Sequence, residues 1–197
     1  MTPTPAEVEE VLTDVGACVD ASATLPAQVF RGRATFRVIE WDILWSRKFF
    51  EAARYMTEAS GSERLKLLVL SPDPVQYFLH QFGKLPLVTL NVKDDAGAYL
   101  HCIGEDPGDS PADAIVHNSD VVVVWPSSRQ WCLYGDRNFE IALIALHDER
   151  SVRAVDSTSL PRFSMREAIE RSIVRLRRDD EAIELLRNFS DDVHGAA

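Results

Sequence analysis

The residues able to do chemistry in this chain are three cysteines, five histidines and a surplus of carboxylates. A protein-bound transition metal needs such side chains on converging elements, commonly at paired short spacings. His80, His101, His117, His147 and His194 never fall as H-x-x-x-H or H-E-x-x-H, and Cys18, Cys102 and Cys132 never as C-x-x-C. His101 and Cys102 are adjacent, which on a strand sends them to opposite faces. No metal site and no cofactor are therefore expected. The cysteines are odd in number and set among apolar neighbours, as small buried hydrophobes in a reducing compartment would be.

Other chemistries lack their signatures. A serine nucleophile would be announced by G-x-S-x-G on a strand-to-helix turn, and none occurs. Cys132 has Arg129 and Arg137 near it in sequence, yet sits between Trp131 and Leu133 as a core residue would. The nine glycines form neither G-x-G-x-x-G nor G-x-x-x-x-G-K, so no phosphate cradle is expected. Pro72-Asp73 would suit a nuclease core only if an acidic-x-lysine step followed, and Lys93 has Asn91 two residues before it. Asp136 and Glu140 could pair as acid and base, but they flank a turn whose ordinary chemistry favours aspartate. Arg171, Arg175 and Arg178 share a helical face, with Glu167 four residues before Arg171 to neutralise it.

The acidic residues carry more. Asp94 and Asp95 fall in one expected loop, and Glu105, Asp106, Asp109 and Asp113 in or beside another, with no base between Asp94 and Asp113. If both loops lie at one sheet edge, they make a negative patch able to steer a basic protein. Trp125, Trp131 and Tyr134 surround a turn between them and are expected to supply the aromatic anchors that interface hot spots prefer. With 31 acidic against 21 basic residues the net charge is −10, which argues against nucleic-acid binding and for a basic partner. The chain is accordingly read as a non-enzymatic, acidic protein-interaction module, an inhibitor or immunity-type antidote of a basic protein. The runner-up is a small hydrolase or transferase with a pocket lined by Trp131, Tyr134 and Asp136.

These residues need a scaffold, and residues 120–146 provide its centre. Val121 to Val124 form an unbroken β-branched run that should be covered on both faces. Turns at 126–129 and 135–138 fold the stretch into an antiparallel meander, with Phe139, Ile141, Leu143 and Ala145 on one face of the third pass and Glu140, Ala142, Ile144 and Leu146 on the other. Around it we expect an amphipathic helix over 6–19, a strand at 35–39, a long helix over 41–60 ended by Gly61, strands at 65–70 and 87–92, and a short helix opened by Asp73 and Pro74. Residues 94–97 are expected to turn the 87–92 strand into a hairpin with 98–103, a helical turn being the alternative. Ser164 and Glu167 match a capping box, followed by apolar stripes through Ile169, Ile173 and Leu176 and through Ile183, Leu186 and Phe189.

At 197 residues, with 46% hydrophobic and 26% charged, one α+β domain with a largely antiparallel sheet is expected, its ends 1–5 and 190–197 loose. No signal peptide or membrane-length apolar run is visible, so a cytoplasmic location and no membrane partner are expected. The sequence sets no oligomeric state.

Overall fold

The computed structural model describes residues 2–108 and 110–190. In chain order the elements are α1 (Pro5–Gly16), β1 (Thr35–Glu40), a 3-10 turn (Trp41–Trp45), α2 (Arg47–Ala59), β2 (Arg64–Ser71), a π-helical segment (Pro74–Leu79) running into α3 (His80–Phe82), and β3 (Leu87–Asn91). Then come α4 (Ala96–Gly104), a second 3-10 turn (Pro111–Asp113), β4 (Val121–Pro126), β5 (Trp131–Asp136), β6 (Ile141–Leu146), α5 (Glu149–Ser157), α6 (Met165–Glu170) and α7 (Asp179–Phe189).

The six strands form one sheet in the order β1-β6-β5-β4-β2-β3, every neighbouring pair antiparallel. The meander β4-β5-β6 is its middle, and every residue of those three strands is buried. Strand side chains alternate between faces, so the all-apolar sequence demands a layer on each side. Val122, Val124, Trp131, Leu133, Ala142 and Ile144 meet α2, α4 and α5 on one face. Val123, Trp125, Cys132, Tyr134, Leu143 and Ala145 meet α1, the 18–30 segment, α6 and α7 on the other. The architecture is an α+β domain, with helices on both faces of an antiparallel sheet.

Several local expectations change. Residues 98–103 are helical, not a strand: Asp95 accepts the Ala98 N–H at 2.8 Å as the N-cap of α4, and Tyr99 and Ile103 fall one turn apart on its buried side. The expected 41–60 helix divides, because Ser46 is extended (ψ 156°) and caps a new helix through the Phe49 N–H. The third pass begins at Ile141, since Glu140 takes a positive φ of 58° and belongs to the turn. Thr4 and Glu7 form a reciprocal capping box on α1, so residues 4 and 5 are fixed and not loose. The expected loose tail, from 191 on, lies outside the described residues, and Ser190 still donates its N–H to Leu186.

At the C-terminal end, α6 stops at Glu170, so Arg171, Arg175 and Arg178 do not share one helical face. Arg171 lies over the Phe163 ring, Arg175 pairs with Glu140 at 2.9 Å and Arg178 with Asp180 and Glu181 at 3.5 Å. In α7 the buried side runs through Glu181, Leu185 and Phe189, and Ile183 faces solvent at 70% exposure. The Glu181 carboxylate is tucked under the helix start, accepting the Arg177 and Arg178 N–H groups, and that contact sets the helix rotation.

Candidate interaction surface

The aromatic residues expected to anchor a partner lie inside the molecule. Trp125 and Trp131 have no exposed surface and Tyr134 almost none. Trp125 donates its indole N–H to Asp14 at 3.0 Å, and Tyr134 stands edge-on to Phe30. The reason is the all-apolar meander itself: a strand covered on both faces has no outward side on which an aromatic could be displayed. The alternative catalytic pocket does not form either. Trp131 faces the α2 layer, while Tyr134 shares the opposite face with Asp136, so the sheet separates them. Asp136 ends β5, and its carboxylate accepts the Asn138 N–H at 2.8 Å from the turn that follows. Burial raises its pKa above the ordinary carboxylate range, against the lowering effect of the Asn138 and Phe139 N–H groups.

The carboxylates of the two acidic loops fall at the ends of α4. Asp94 and Asp95 precede the helix, and Glu105 and Asp106 follow it. Each of three uses one oxygen locally: Asp94 accepts the Asn91 N–H at 2.7 Å, Asp95 the Ala98 N–H, and Asp106 the Gly108 N–H at 2.8 Å. Asp113 closes the second 3-10 turn, half-buried, and Asp109 lies outside the described residues. A nine-residue helix is about 13 Å long, so the two groups flank one short stretch. Both fields reach its last turn. Burial, then the charge of Glu105, then that of Asp94, raise the pKa of the Cys102 thiol between them.

What they flank is an open sheet edge. Val69 donates its N–H to the Pro86 carbonyl and Val92 donates to Glu63. With the β2–β3 register, those bonds make Val88 and Leu90 the residues that exchange hydrogen bonds with β2. The N–H and C=O groups of Leu87 and Thr89 then point outward, and no described residue bonds to them. Asn91 also points outward, but the Asp94 carboxylate and N–H take both its groups. The far edge of the sheet is treated differently: Val38 of β1 exchanges two 2.8 Å bonds with Phe163, so the segment before α6 covers it.

A cleft of about 300 Å³ runs beside the open edge. Residues 84–89 form one wall; Phe78, Cys102, Glu105, Pro107 and Ile115 complete it. It is mainly apolar, and Val88 sends its side chain toward it from the α4 face of the sheet. Lys84 at the mouth is held by Glu105 at 3.7 Å.

The chain matches no family model, no curated protein and no solved structure. The geometry therefore carries the functional reading alone. Among the described residues, no group of three or more His, Cys, Asp or Glu could hold a metal ion. No helix of the described residues is long and apolar enough to cross a membrane. The 84–89 edge and its cleft were not identifiable from the sequence. One signal was present: Pro86 stands immediately before β3, and proline is tolerated in sheets at strand starts and edges.

A second charged cluster has a structural role. Asp14 accepts Lys66 Nζ at 2.6 Å, Trp125 Nε1 at 3.0 Å and Arg129 Nε at 3.0 Å, fastening α1 to β2, β4 and the turn after β4. Burial works to raise its pKa, but the Lys66 and Trp125 hydrogen bonds and the two positive charges hold it below the ordinary range.

Proposed function

We propose that this chain is an acidic protein-interaction module that takes a basic protein partner at the β3 edge, as an inhibitor or immunity-type antidote would. The observation that carries the reading is the placing of carboxylates at both ends of α4, beside an apolar cleft on a sheet edge with free backbone groups. Asp94, Asp95, Glu105, Asp106 and Asp113 stand there against Lys84, already paired, and Lys93. A cluster of one sign steers an oppositely charged partner, and an apolar cleft within it supplies the desolvated contact that steering alone lacks.

The test compares the native chain with an Asp95→Asn/Glu105→Gln variant in a pull-down from the native host. A basic protein should be retained by the native chain at low salt, released at high salt and retained poorly by the variant. Identical retained sets for both chains at low salt overturn the proposal.

A further inference from the structure

The basic-partner reading leaves open what part of the partner sits at this surface, and the β3 edge answers it in chemical terms. We infer that the occupant is an extended basic segment that pairs with β3 as a seventh strand, bonding the backbone of Leu87 and Thr89. The inference rests on the reading above and adds a binding mode to it.

The available backbone groups fix the length of pairing. Leu87 and Thr89 offer their N–H and C=O groups outward, β3 begins at Leu87, and the Asp94 turn closes the edge at Asn91. An antiparallel segment laid here makes hydrogen-bonded pairs with Leu87 and Thr89 and places one residue opposite Val88. Residues directly opposite share a face, so that residue sends its side chain beside Val88, toward the cleft formed with Cys102 and Ile115. An apolar side chain fits there.

Charge then assigns the neighbours. Residues two before and two after the central one lie on the same face, about 13 Å apart at roughly 3.4 Å per residue. That span equals the length of α4, whose ends carry Asp94 and Asp95 on one side and Glu105 and Asp106 on the other. The segment that fits is therefore basic-x-apolar-x-basic. The charge also disfavours a second copy as occupant, because two such edges would bring their own carboxylates together at a net charge of −10 per chain.

The experiment titrates the full chain by NMR with the blocked peptide Ser-Arg-Thr-Leu-Thr-Arg-Ser, beside a form N-methylated on both threonines and a form with glutamine for arginine. Thr89→Pro serves as the edge variant, because the Thr89 N–H points away from β2 and its loss leaves the sheet bonds intact. The parent peptide should slow hydrogen exchange of the Leu87 and Thr89 amides. N-methylation, or Thr89→Pro with an unchanged melting curve, should weaken binding about tenfold or more, as loss of backbone hydrogen bonds at an interface does.

Equal binding of the parent and N-methylated peptides, or no binding of either, overturns strand pairing. If the glutamine form binds as well as the parent while the N-methylated form fails, strand pairing stands and the basic-partner reading falls. Concentration-dependent dimers that Thr89→Pro abolishes would make a second copy the occupant and overturn the inference.

Discussion

At the residue scale, three side-chain environments set measurable energies. Gly135 sits where a Cβ would come within 2.9 Å of both Trp41 and Leu44, so the 3-10 turn can close over β5 only above a residue with no side chain. Gly135→Ala should cost about 1–3 kcal/mol of unfolding free energy by overpacking, read from urea melts. Asp14 and Asp136 titrate in opposite senses. The folded pKa of Asp14 is depressed, so its contribution is present above the unfolded value and is lost as pH falls through the folded one. Asp14→Ala leaves Lys66 and Trp125 without their acceptor and should cost about 1–3 kcal/mol near neutral pH, less as the medium is acidified. Burial raises the folded pKa of Asp136, so the native chain loses stability as pH rises from the unfolded value through the folded one. Asp136→Asn can keep the bond from the Asn138 N–H and should gain stability on the native chain over that window, checked by melts at about pH 4 and about pH 7.

At the element scale, β3 makes the sharpest contrast. Thr89 and Val88 are adjacent, but the first points its N–H to solvent and the second to β2. Proline should be tolerated at 89 and should cost about 3 kcal/mol or more at 88, because it removes a ladder bond there; thermal melts of the two variants decide it. The elements most legible in the sequence are those fixed by local rules. The β-branched run Val121 to Val124, the Ser164–Glu167 capping box and the helix-ending Gly61 stand as expected, the glycine at φ 75°. The Thr4–Glu7 capping box obeys the same rule and fixes a stretch whose composition alone reads as a loose end. Residues 98–103 are ambiguous in sequence because Tyr99, Leu100 and Ile103 suit either period over so short a stretch. The deciding residue was Asp95, whose value as a helix cap competes with its value in a turn.

At the scale of the whole molecule, the surface is organised by which sheet edge stays open. The meander and the coverage of both its faces were written in the chain's own periodicity. Which strand would end the sheet was not, because β1 reaches β6 and β2 reaches β4 across long sequence separations. Without the strand order, the acidic loops had no common reference and the aromatic residues looked available; with it, the acids frame β3 and the aromatics are core. The measurement that bears most directly on this is a hydrogen-exchange footprint of the full chain with and without the basic protein retained at low salt. Protection confined to residues 84–91 and 96–106, strongest at Leu87 and Thr89, is the predicted result. Protection at Trp41–Trp45 and around Arg137 and Arg175, with the β3 edge exchanging as in the free chain, would contradict it.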